Sequence, residues 1–221
     1  MIRHFDDELA KFKEALLTMG SYAESAVGQA VQAVTERNDD LAEQVQHNDD
    51  IMDQFEMDID DMAVNLLAKA PLATDLRLIT VAMKISQNLE RIGDEATTIA
   101  RRAVELNTQA QLKSYVDIPR MAAITLGMLK ESLDSFVNKD AEKARTLIPR
   151  DKEVDALNRK IYRELSGFMA ENPGGIGSCL NLMTVSKSLE RVADHATNIA
   201  QEVVYLCEAR DIRHEAGKAL P

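Results

Sequence analysis

The sequence predicts an all-α protein: six long helices in two tandem three-helix bundles related by internal duplication. Three observations predict it. Glycine (9) and proline (5) are scarce among 221 residues, which excludes collagen, glycine- or proline-rich disorder and a turn-dense β-sandwich. Apolar residues recur in alternating steps of four and three along most of the chain, the period of a helix seated against neighbours. Residues 83–106 align without gaps with 183–206 and are identical at 12 of 24 positions.

The first helix carries the stripe Phe5, Leu9, Phe12, Leu16, Met19, Ala23, Ala26 and Ala30. The short link Asn38-Asp39-Asp40 folds it into an antiparallel pair with a second helix, striped by Leu41, Val45, Asn48, Met52, Phe55, Ile59, Met62 and Leu66. Pro71 ends that helix. Thr74 is the expected N-cap of the third, whose stripe runs Ile85, Leu89, Ile92, Ala96, Ile99, Ala103, Leu106. The polar stretch Asn107–Asp117 marks the expected boundary, giving one bundle over 1–110 and another over 111–221. A fourth helix is expected from about Pro119 to Asn138 and a fifth from about Ala141 to Ala170. The loop Asn172-Pro173-Gly174-Gly175-Ile176-Gly177 is an interhelical turn, and Ser178 is the expected cap of the sixth helix. Asp49/Asp53 and Pro71 correspond to Asp151/Asp155 and Pro173 at an offset of 102, against 100 in the aligned block, so the duplication spans each half.

Charge and composition bound the function. Lys+Arg number 26 and Asp+Glu 37, a net −11, and the pI is near 4.9. Such a surface is unfavourable for DNA, RNA and anionic lipid. Aromatic residues are 4% and tryptophan is absent, which argues against base stacking as a binding mode. No nucleic-acid partner is expected. No run of 18 apolar residues exists, so no membrane-spanning helix is expected. The start turns acidic at Asp6-Asp7-Glu8, unlike a signal peptide. Cys179 and Cys207 lack C-x-x-C spacing and are expected to be free thiols in a reducing cytoplasm.

Four carboxylate pairs share one spacing: Asp49/Asp53, Glu90/Asp94, Asp151/Asp155 and Glu190/Asp194. On a helix, positions i and i+4 lie about 40° apart, so each pair points two acids the same way. Like charges so placed destabilise a helix by roughly 0.2–0.5 kcal/mol. Asp49/Asp53 is expected to meet Glu90/Asp94, and Asp151/Asp155 to meet Glu190/Asp194, one site per half. Four carboxylates in one region suit a hard cation such as Mg, Mn, Ca or iron. The plain alternative is solvated acids balanced by Arg91, Arg191 and lysines; repetition in register favours the metal reading. Eight of the 37 acids fall in these motifs, and without them the balance would be 26 − 29 = −3. His195, where the first half has Glu95, would enlarge the second ligand set or favour zinc, or else is an exposed or core-edge histidine. Arg91 and Arg191 balance the acids or bridge helices. The chain has no Glu-x-x-His of the di-iron bundles, no Gly-Lys-Ser/Thr phosphate loop, and no serine–histidine–acid context.

The duplicated blocks Leu89-Glu90-Arg91-Ile92-Gly93-Asp94 and Leu189-Glu190-Arg191-Val192-Ala193-Asp194-His195-Ala196-Thr197-Asn198-Ile199, with Asp75-Leu76-Arg77, resemble the PhoU family of phosphate-specific transport system accessory proteins. The resemblance covers essentially the whole chain. It implies two three-helix bundles side by side and metal ions (Fe, Zn, Mn or Mg) at E(D)-x-x-x-D motifs. Carried over, the ligands are Asp49, Asp53, Glu90 and Asp94, then Asp151, Asp155, Glu190 and Asp194. It further implies a cytoplasmic homodimer without enzymatic activity, peripheral to the membrane through partners only. The implied role is negative regulation of the phosphate-starvation response, coupling a phosphate ABC transporter ATPase to a sensor histidine kinase. Two departures stand out: Asp replaces Glu at the first position of two motifs, and Glu95 stands where the family pattern has the histidine seen at 195. Two other classes remain to be weighed. One is a metal-dependent hydrolase or phosphatase, since paired ions about 3.5–4 Å apart activate water, although no general acid or base stands out. The other is a metal-free helical scaffold.

Overall fold

A computed structural model describes residues 2–69, 71–109, 112 and 117–213. Among these there is no strand, and the helices are α1 (Ile2–Glu36), α2 (Asp39–His47), α3 (Asp49–Leu67), α4 (Ala73–Asn107), α5 (Asp117–Asn138), α6 (Ala141–Leu147), α7 (Asp151–Glu171) and α8 (Ile176–Glu208). The six expected helical spans are all present, but two are interrupted. The second breaks at Asn48 into α2 and α3, and the fifth breaks over a 3-10 turn at Ile148–Arg150 into α6 and α7. Pro149 offers no amide N–H to continue the α-helical ladder, so the backbone tightens there. Asn48, expected on the apolar seam, is exposed, with its N–H bonded to the Gln44 carbonyl at 3.1 Å.

The two breaks are equivalent at the offset of 102, and so are the turns before them. Arg37 (φ 56°) and Lys139 (φ 51°) both adopt left-handed backbone. The next N–H reaches back five residues, from Asn38 to Ala33 O at 3.1 Å and from Asp140 to Ser135 O at 2.9 Å. That is the αL helix stop usually given to glycine. Asn38 and Asp140 then cap the following helices by accepting from Leu41 N (3.1 Å) and Lys143 N (2.9 Å).

Other boundaries differ from expectation. Helix α4 starts at Ala73 with Leu72 in the cap position, so Thr74 lies inside the first turn and is not the cap. Helix α8 starts at Ile176, straight out of the 3-10 turn Pro173–Gly175, which leaves Ser178 within the helix. Its hydroxyl bonds Gln109 Oε1 at 2.5 Å instead of capping. Helix α5 begins at Asp117, with Pro119 accommodated in its first turn, where no amide donor is needed. The expected boundary at 110/111 lies outside the described residues.

Helix α4 packs on α1, α2 and α3, helix α8 on α5, α6 and α7, and the two long helices on each other. They run antiparallel. Arg77 Nη1 reaches Leu206 O (3.4 Å), Lys84 Nζ reaches Glu202 (3.2 Å), Asn88 Oδ1 faces His195 Nδ1 (2.9 Å), Glu95 Oε1 meets Arg191 Nη1 (3.0 Å), and Arg102 Nη1 meets Asn181 Oδ1 (3.4 Å). Beneath this polar ladder one apolar cluster runs through both halves, with Phe12, Leu16, Leu89, Ile92, Met121 and Met128 fully buried. Each such side chain contributes about 1.5–3 kcal/mol of transfer free energy. Rigid α4 and α8 therefore carry Glu90/Asp94 and Glu190/Asp194 on a fixed frame.

Candidate metal centre

The helix breaks set the first member of two acidic pairs. Asp49 and Asp151 are the opening residues of α3 and α7. A carboxylate there is favoured by the positive end of the helix dipole, and a four-residue step carries Asp53 and Asp155 onto the same side. Helices α3 and α7 lie along α4 and α8, so the two acidic pairs of each half stand on neighbouring helices.

The two pairs of each half are coupled electrostatically. In the first half, Glu90 is pushed up to about 7, first by burial and then by Asp94, Glu56 and Asp53, against the pull of Arg91. Asp94 is raised by burial and then by Asp49 and Asp53 on α3. In the second half, Asp194 is raised to about 6 by burial and by Asp151, Glu190 and Asp155, with Lys187 opposing. Asp151 is raised by burial, Asp155 and Glu190. All eight predicted acids therefore take part in this electrostatic coupling, four in each half. As positioned, no three His, Cys, Asp or Glu side chains among the described residues form a group that could hold a metal ion.

The two groups differ in their surroundings. Thr97 donates to Asp49 Oδ1 at 2.8 Å. Its repeat counterpart Thr197 makes no hydrogen bond through Oγ1, and Asp151 Oδ1 is also buried without a partner. Lys187 forms an ion pair with Glu190 in the second half; the first half has Gln87 at that position. Glu56 joins the first group, its own pKa raised by burial and by Asp60 and Asp53, whereas the second half has Asn158, bonded by Ser186 at 2.7 Å. The donor set is oxygen throughout. The buried, unpartnered Asp151 Oδ1 of the second half and acids that raise one another's pKa are features a hard cation would relieve, so the residue types, though not their present positions, suit such an ion.

Sequence reasoning missed Glu56, Thr97 and Lys187. Glu56 follows Asp53 by three residues on the same helix side, and Thr97 stands in the repeated block, so both left a signal. His195 does not extend the acidic group; its Nδ1 faces Asn88 on the other half. Burial, then Arg91, lowers its pKa. Arg191 takes the bridging role, binding Glu95 across the halves.

The chain's likeness to known proteins follows both repeats. The family model for the PhoU domain matches residues 16–103 and again 118–203. A phosphate-specific transport system accessory protein PhoU homolog of Pseudomonas aeruginosa is 40% identical over 214 residues, covering 96% of this chain and 88% of that protein. One from Caulobacter vibrioides is 35% identical, covering 98% and 95%. The crystal structure of PhoU from Pseudomonas aeruginosa superposes with a TM-score of 0.90 at 39% identity over 93% of this chain and all of that one. The phosphate transport system regulatory protein PhoU from Streptococcus pneumoniae does so at 0.87 and 26% identity, covering 94% and 98%. Two matched domains, one on each acidic group, and near-full-length relatives place the chain in the PhoU family.

Proposed function

We propose that this chain is a phosphate-transport accessory protein. In this reading it is a cytoplasmic, non-catalytic homodimer that represses the phosphate-starvation response by coupling a phosphate ABC transporter ATPase to a sensor histidine kinase. The observation that carries the reading is likeness over almost the entire chain to proteins named as accessory to phosphate-specific transport. Among the described residues no helix is long and apolar enough to cross a membrane, and in this reading the chain reaches the membrane through its partners.

A cation belongs to the same proposal: one held by Asp49, Asp53, Glu90 and Asp94, a second by Asp151, Asp155, Glu190 and Asp194. The all-oxygen donors favour Mg, Mn or iron over zinc. The bound ion supplies positive charge. The carboxylates on α3 and α4 would hold one ion and those on α7 and α8 the other, with α4 and α8 as the fixed frame. Support comes from the mutually raised pKa values and the unpartnered Asp151 Oδ1.

Affinity purification of the tagged chain from cells grown in high and low phosphate tests the partner reading. Recovery of a phosphate transporter ATPase or a histidine kinase is expected; recovery of neither overturns it. Elemental analysis of wild type and of a variant with all eight acids changed to alanine tests the ion. Equal bound metal in the two would sink the ligand assignment.

A further inference from the structure

Helix α3 leaves one face unpartnered. Met57 and Val64, seven residues apart, keep 56% and 60% of their surface in solvent. At 100° per residue they share, with Asp50 and Asp61, an outer strip about 60° wide; Asp58 flanks it. Single exposed apolar residues need no explanation. Two on one strip, framed by acids, do, because charge alone would have kept the helix soluble.

The net charge is as unevenly placed. Residues 1–110 hold 21 acids and 10 bases, a balance of 10 − 21 = −11, while the remainder holds 16 of each. The whole surplus of the molecule therefore lies in the first half, and not in two equal patches. From Asp39 to Leu67 there are ten acids and no lysine or arginine. None of these ten takes part in an ion pair among the described residues.

The repeat shows that this face is specialised. At the offset of 102, Asp49 and Asp53 recur as Asp151 and Asp155, but the outer face inverts: Asp50 becomes Lys152, Asp58 becomes Lys160, Asp61 becomes Arg163, Met57 becomes Arg159 and Val64 becomes Ser166. On α7, moreover, charge is neutralised locally. Arg159 pairs with Asp155, Lys160 with Asp117 and Glu164, and Glu153 with Arg120. Helix α3 has no ion pair among the described residues.

We infer that the outer face of α3, with Met57 and Val64 as apolar anchors inside the acidic frame of Asp50, Asp58 and Asp61, is the docking surface for a basic protein surface on one of the two proposed partners. The inference rests on the proposed function and adds to it which face binds and what chemistry the partner presents. Uncompensated acids steer a basic surface by long-range attraction, and the two apolar side chains supply contact area that becomes dry only on docking. A second copy offers a weaker match, because two of the four corresponding bases on α7, Arg159 and Lys160, already have acids of their own.

The test uses the purified full chain against the purified transporter ATPase and the cytoplasmic part of the sensor kinase. Three proteins are compared: wild type, D50K/D58K/D61R, and the neutral D50N/D58N/D61N with M57A/V64A, each checked for helicity and melting. One partner is expected to bind wild type at least tenfold more tightly than the charge-inverted variant. Its affinity for wild type is expected to fall steeply between 50 and 300 mM salt, and the neutral variant to be intermediate. If every partner that binds wild type binds both variants within twofold of it, the docking face is overturned while the functional reading stands. Binding of neither partner by wild type overturns both. A change in oligomeric state alone, with partner affinity intact, assigns the face to a second copy and overturns the inference.

Discussion

The Thr97 hydroxyl donates to Asp49 Oδ1 at 2.8 Å, while its repeat counterpart Thr197 has no hydrogen-bond partner for Oγ1. The same residue pair, copied by duplication, is thus closed in one half and open in the other. Thr97→Val removes one hydrogen bond to a carboxylate and is expected to cost about 1–2 kcal/mol. Thr197→Val replaces a hydroxyl that has no partner and is expected to leave stability within about 0.5 kcal/mol of wild type. Urea unfolding of the metal-free variants measures both. Equal losses would show that the Thr97 bond contributes nothing of its own.

The carboxylate groups make a prediction about pH. Glu90 and Asp194 have folded-state values of about 7 and about 6, above the ordinary 4.5 and 3.8. The folded protein therefore holds more protons than the unfolded chain in that interval, and these groups make stability fall as pH rises through it. His195, lowered by burial, acts in the opposite sense, so the readout is the difference between wild type and E90Q/D194N. In chelator, raising pH from 5.5 to 8 is expected to lower the melting temperature of wild type relative to the variant. Millimolar Mg or Mn is expected to stabilise wild type most at pH 8, where protons no longer compete for the carboxylates. A wild-type curve parallel to the variant's would refute the coupling.

The paired left-handed residues separate two effects. Lys139 is exposed at φ 51°, and Lys139→Gly should stabilise by about 0.5–1 kcal/mol by relieving the Cβ crowding of that conformation. Arg37 has φ 56° but donates through Nη2 to the carbonyls of Leu106, Asn107 and Gln109 at 3.1, 2.8 and 2.7 Å. It closes the C-terminal end of α4, so Arg37→Gly should instead destabilise by about 1–2 kcal/mol. Thermal melts of the two variants shifting in the same direction would contradict this account.

Much of this was legible in sequence, for a physical reason. Stripes such as Phe12–Leu16–Met19 report burial directly, because periodicity and packing share one geometry. The acidic pairs were legible because both copies kept them. The breaks at Asn48 and Arg150 were not: the apolar stripe passes through them, and only Pro149 in the second copy marks the kink. Thr74 and Ser178 misled because any hydroxyl near a helix start resembles a cap, whereas Leu72 and Gly175 hold those positions by backbone conformation alone. The partnerships Arg191–Glu95 and His195–Asn88 depend on how α4 crosses α8, which no local pattern encodes.

The last prediction concerns how α3 sits on α4. Gly93 is buried, and a Cβ there would lie 2.9 Å from Met52 Cγ and 3.3 Å from Met52 Cβ. In the second half the equivalent positions are Ala193 and Val154, both fully buried: the extra methyl on one helix accompanies a shorter side chain on the other. Gly93→Ala alone forces Met52 aside and should cost about 1–2 kcal/mol despite alanine's better helix propensity. Met52→Val alone leaves unfilled space and should cost about 1 kcal/mol. The double variant M52V/G93A reproduces the second-half pair and should be more stable than the sum of the single changes implies, by about 1 kcal/mol or more. Met52 precedes Asp53, and Gly93 precedes Asp94, so the same contact sets the spacing of the first acidic group. Urea unfolding of the four proteins measures the coupling; strict additivity would show that α3 is free to shift on α4 and that this contact does not fix the distance between the acidic pairs.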